Sequence, residues 1–68
     1  MNHTVEDILD KIRTIRLEKG ISIVKLANSA GISHSHLYYI ETKKIIPSIE
    51  TLSKIAEGLG VTMKDFFD

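Results

Sequence analysis

LANSAGISHSHLYYIE, residues 26–41, is the stretch on which the rest of the chain depends. Leu26 and Ala30 lie four apart on one helical face, and Leu37 and Ile40 lie three apart on another. Between them Gly31 can take the left-handed conformation that reverses a chain, and Ile32 follows with an apolar side chain. Ala27 is small where a second helix must come close. Ser33 offers a hydroxyl to the unpaired N–H groups of a new helix. This spacing predicts two short helices crossing at a tight turn, a helix-turn-helix.

The flanking sequence supplies elements for those two helices to pack on. Thr4 precedes Val5, Glu6 and Asp7, an N-cap followed by first-turn acids. Ile8, Ile12 and Ile15 then repeat at helical spacing until Lys19-Gly20 ends the segment, which predicts helix one over about 5–19. Ile21 returns to the core and Ser22 begins helix two, about 22–29, with helix three over about 33–42. Pro47-Ser48 is a strong start signal for helix four, about 48–59, whose apolar stripe is Leu52, Ile55, Ala56 and Leu59. Gly58 weakens its last turn and Gly60 is the better C-cap. Thr62 and Asp65 have capping-box spacing for a fifth helix over about 62–67. The expected fold is all-α, five short helices in one domain spanning residues 1–68.

Composition narrows the function classes. A chain of 68 residues has enough length for one small core, which buries roughly 60% of the unfolded surface and is marginal without help. With no cysteine, neither a disulfide framework nor a thiolate metal site supplies that help, and a second copy of the chain is one way to complete the packing. No apolar run reaches membrane-spanning length and the first residues lack signal-peptide character, so a cytoplasmic location is expected. Formal net charge is zero, from nine basic and nine acidic side chains, but its distribution is uneven. Residues 21–47 carry Lys25, Lys43 and Lys44 against Glu41 alone, a total of plus two, and residues 48–68 total minus two. The positive excess falls on and after the helix-turn-helix.

Leu37 and Ile40 point inward on helix three, so positions 34, 35, 38 and 39 point outward. That face holds two aromatics and short hydrogen-bonding groups with no carboxylate before Glu41. Histidine and serine can donate to or accept from base edges, and tyrosine can hydrogen-bond or pack on a thymine methyl. The N–H groups at the start of helix two, capped by Ser22, suit a phosphate. Metal ligation is disfavoured, because His34 and His36 sit two apart on a helix and point in different directions, and His3 has no visible partner. No nucleophile is set against a base, so neither catalysis nor a cofactor is expected.

The segments IRLEKG (15–20), LANSAGIS (26–33), LYYIE (37–41), PSIETLSKIAEGLGV (47–61) and DFF (65–67) together resemble the Cro/C1-type, or XRE-type, helix-turn-helix family. The resemblance covers Ile8 to Phe67 and implies the lambda-repressor-like fold of phage repressors and many small bacterial regulators. It implies that Arg16 meets Glu41, tying helix three to helix one, and that helix three lies in the DNA major groove. His34, Ser35 and Tyr39 then face base edges, while Ser33, His36 and Tyr38 lie near the backbone or groove wall. Lys43 and Lys44 fall in a loop that usually touches phosphates. Resembling regulators dimerise through their last helix, which singles out Val61, Met63, Phe66 and Phe67, with one phenylalanine in the core and the other at the surface. Three positions depart from the family pattern. Ile23 replaces a frequent phosphate-gripping glutamine, Val24 is apolar where a polar residue is usual, and Lys43 stands where many members have glycine. Weaker or more shape-dependent DNA recognition is the expected consequence.

Two functions of different class follow. The first is a sequence-specific, repressor-like transcriptional regulator that binds double-stranded DNA as a homodimer without cofactor or metal. The alternative is a protein-interaction module on the same fold, such as an antitoxin or an anti-repressor partner, using apolar Leu17, Ile23 and Val24. Leu17, Ile23, Val24, Ile45 and Ile46 otherwise read as scattered surface residues, with Ile45 or Ile46 turning into the core.

Overall fold

A computed structural model describes residues 4–67, so His3 lies outside the described residues. Four α-helices follow in order: α1 over Val5–Glu18, α2 over Ile23–Ala30, α3 over His34–Glu41 and α4 over Ile49–Leu59. A 3-10 helix spans Met63–Phe67, and the described residues contain no strand. The fifth expected α-helix is therefore a correction: those residues form a five-residue 3-10 helix. Its start is tied by the Asp65 carboxylate, which accepts from the Thr62 N–H at 3.0 Å, and at about three residues per turn the segment completes fewer than two turns.

Each α-helix begins where a hydroxyl can reach its third N–H. Thr4, Ser22, Ser33 and Ser48 accept from Asp7, Lys25, His36 and Thr51 respectively, and Asp7 returns a bond to the Thr4 N–H. The three serines have extended backbones and stand just outside their helices, which moves the starts of α2, α3 and α4 one residue past the expected positions. Gly31 adopts φ 74°, and the next N–H, of Ile32, bonds back to the Ala27 carbonyl at 3.0 Å. That six-to-one bond ends α2 and aims the chain into α3.

The core is a single cluster of thirteen buried apolar residues drawn from all five elements. Leu9, Ile12, Leu26, Leu37, Ile40 and Ile55 are its largest fully enclosed side chains. On α1 the inward face runs through Leu9, Ile12 and Ile15, with Ile8 only half-buried at its edge. Helix α2 packs most extensively on α4, and α3 rests on α1 and α2. Gly58 permits the α2–α4 approach: a Cβ there would stand 3.1 Å from both the Ala30 backbone nitrogen and Leu26 Cδ1. Neither Ile45 nor Ile46 turns inward; they are 38% and 74% exposed, and Pro47 is the residue of that loop that is buried. Phe66 enters the core between α1 and α4, whereas Phe67 is exposed. No helix among the described residues is long and apolar enough to cross a membrane.

Candidate nucleic-acid interface

Helix α3 projects its polar side away from the body of the molecule because Leu37 and Ile40, both fully buried, fix which side faces in. His34, Ser35, Tyr38 and Tyr39 are exposed on the opposite side, and His36 is half-buried between the two. The Tyr38 and Tyr39 rings meet edge to face, with centroids 5.9 Å apart. Edge-to-face is one of the arrangements that the ring quadrupoles of an aromatic pair favour. At the start of the helix, His34 Nε2 lies 3.3 Å from Asn28 Oδ1, a polar link between α2 and α3.

The far end of α3 is fixed by charge. Arg16 Nε donates to Glu41 Oε2 at 2.7 Å and its Nη2 donates to Oε1 at 2.9 Å, a two-pronged pair. The remaining nitrogen, Nη1, donates to the Ile21 carbonyl at 2.8 Å, so one guanidinium joins α1, the α1–α2 loop and α3. Both side chains are buried, and among the described residues no buried side-chain polar atom lacks a partner. A buried pair broken on one side leaves an uncompensated charge, so this bridge ties the end of α3 to α1 and to the loop that follows it.

Beyond α3 the chain turns through Lys43, whose φ of 66° is the left-handed value that glycine adopts without strain. The Lys43 ammonium reaches back to Asp10 on α1, 3.0 Å from Oδ1. Lys44 is exposed and neutralised by no carboxylate among the described residues, and its N–H donates to the Tyr39 carbonyl at 2.8 Å. At the start of α2, Ser22 is exposed and occupied with its cap. Val24 and Leu17 are exposed, whereas Ile23 packs partly against the core. Val61 and Met63 are likewise half-buried against the core, with Phe67 exposed beside them in sequence.

The structure thus exposes His34, Ser35, Tyr38 and Tyr39 on α3, whereas Val61 and Met63 pack partly against the core and Phe67 is exposed in the 3-10 helix. Two partners were not visible in the sequence. Asn28 is an ordinary polar residue of α2 until the turn at Gly31 folds His34 back towards it. Asp10 is separated from Lys43 by 33 positions, and only the glycine-like backbone at 43 hints at an unusual role there.

A family profile described as helix-turn-helix matches residues 12–66. The HTH-type transcriptional regulator PuuR of Escherichia coli K12 is 33% identical over 57 residues, covering 84% of this chain and 31% of PuuR. The HTH-type transcriptional regulator SinR of Bacillus subtilis 168 is 37% identical over 59 residues, covering 85% of this chain and 53% of SinR. This chain therefore spans less than a third of one curated relative and about half of the other. Among solved structures, the restriction-modification controller protein C.AhdI from Aeromonas hydrophila superposes with a TM-score of 0.88 at 24% identity, covering 93% of this chain and 96% of C.AhdI. That likeness is one of fold.

Proposed function

We propose that this chain, which belongs to the Cro/C1-type helix-turn-helix family, is a sequence-specific DNA-binding transcriptional regulator. The observation that carries the reading is the outward side of α3, a rigidly mounted surface of histidine, serine and tyrosine with no exposed carboxylate. In this reading α3 lies in the major groove of double-stranded DNA. His34, Ser35 and Tyr39 face base edges, and Ser22, Ser33, His36, Tyr38 and Lys44 lie along the backbone or groove wall. The two relatives, both transcriptional regulators, support the same class of function.

The chain acts as one domain in the cytoplasm, without cofactor or metal, and as a homodimer. Val61, Met63 and Phe67 are the residues offered for that contact, since Phe66 is taken up by the core. Pairing two α3 helices one DNA turn apart doubles the set of base contacts available to so short a chain.

An anisotropy titration tests the reading. Duplexes selected from a randomised pool should bind more tightly than random duplex, and affinity should fall steeply between about 50 and about 200 mM salt as phosphate contacts release counterions. No preference over random duplex, or affinity that ignores salt, would sink it.

A further inference from the structure

We propose that Arg13, at the cleft beside α3, grips a DNA backbone phosphate. The proposal rests on the DNA-binding reading above and concerns a cleft of about 380 Å³ beside α3, whose lining includes Asp10, Arg13, Arg16, Ile23, Tyr38 and Lys43. Three cations line this cleft, and their carboxylate partners sort them. Arg16 is only 7% exposed and all three of its nitrogens donate within the protein, two of them to Glu41. Lys43 stands 3.0 Å and 3.3 Å from the two oxygens of Asp10, so a carboxylate already faces its ammonium. The Arg13 side chain is exposed and has neither an ion-pair nor a hydrogen-bond partner among the described residues.

The walls of the cleft say which anion it meets. Tyr38 belongs to the outward side of α3, and Ile23 is the first residue of α2, whose N-terminal N–H groups already favour negative charge. A duplex read by α3 brings a phosphate strand past both. Arg13 precedes Arg16 by three residues and so lies on the same flank of α1, facing that strand. Its planar guanidinium presents paired donors that match two phosphate oxygens, where the ammonium of Lys43 is already held by a carboxylate. In a chain of zero net charge, phosphate affinity comes from cations that no carboxylate neutralises, and at this cleft that cation is Arg13.

The test compares the full chain with Arg13→Gln and with a paired neutral variant, Asp10→Asn with Lys43→Gln, on one selected duplex and one random duplex. Log affinity is plotted against log salt. Arg13→Gln should lower the slope by about 0.9, so that between about 50 and about 200 mM salt the wild type loses about 3.5-fold more affinity than the variant. The loss should be equal on both duplexes, because a phosphate carries no sequence information. The paired variant should keep the wild-type slope. An unchanged slope in Arg13→Gln, or an equal fall in the paired variant, overturns the proposal while leaving the DNA reading intact. A wild-type chain whose affinity ignores salt overturns the DNA reading and the proposal with it.

Discussion

Helix α2 meets the rest of the molecule through apolar atoms at close range, whereas α3 is held at its far end by a buried guanidinium–carboxylate pair. Leu26, Ala27 and Ala30 bury one side of α2, and the absence of a side chain at Gly58 lets α4 come within van der Waals contact. Helix α3 contributes only Leu37 and Ile40 to the apolar core, and its third buried residue is Glu41. The difference teaches how a short helix can leave most of its circumference to a ligand. Two apolar residues are too few to define its axis, and a directional, two-pronged charged bond adds the constraint that packing leaves out.

Breaking the bond should therefore have the largest effect. Glu41→Ala leaves Arg16 buried and unpaired, and should cost about 3–5 kcal/mol, enough to unfold much of a domain this small. Urea unfolding followed by circular dichroism reads this directly. Replacing both partners, Arg16→Met with Glu41→Leu, should recover much of the stability while the Ile21 carbonyl loses its donor. If the charged pair sets the axis of α3, that double variant should fold yet show faster amide exchange along α3 than along α2. Equal protection in both helices would mean that apolar packing alone places α3.

The apolar side of the comparison has its own test. Gly58→Val inserts branched carbons where even a Cβ meets the Ala30 backbone nitrogen at 3.1 Å, and α2 must move away from α4. Over-packing of this kind should cost about 2 kcal/mol, seen as a lower urea midpoint at unchanged m-value. Ser33→Ala acts on a smaller scale at the junction of the two helices. It removes the acceptor for the His36 N–H and should cost about 1 kcal/mol. Its exchange rates should rise at residues 34–36 and remain unchanged in α2.

Most of the architecture could be read from local rules, and the failures share a cause. The four capping hydroxyls and the turn glycine act on neighbours within a few residues, so spacing alone places α1 to α4 to within a residue. The segment 62–67 satisfies the same capping rule, but a start signal does not guarantee α-helical winding, and it closes as a 3-10 helix. Gly58 reads as a defect in α4 until Ala30 and Leu26 are seen against it. For α3, Leu37 and Ile40 identify the exposed side from spacing, while the Arg16–Glu41 bond is implied by family resemblance and not by periodicity. Asp10–Lys43 and Asn28–His34 escape both, because each depends on where a turn delivers a side chain.

Lys43 carries the smallest predicted effect, and it can sharpen the contrast between packing and charge. Its φ of 66° costs an L-residue about 1 kcal/mol relative to glycine. The bond to Asp10 offsets part of that strain, but the two side chains are 38% and 60% exposed, so solvent screening limits it to about 0.5 kcal/mol. Lys43→Gly should then stabilise the fold by about 0.5 kcal/mol, a small rise in the urea midpoint. The sign carries the information. A loss of stability would mean that the Asp10 bridge outweighs the backbone strain, making α3 anchored by charge at two points along α1. A gain would leave Arg16–Glu41 as the bond that fixes its axis.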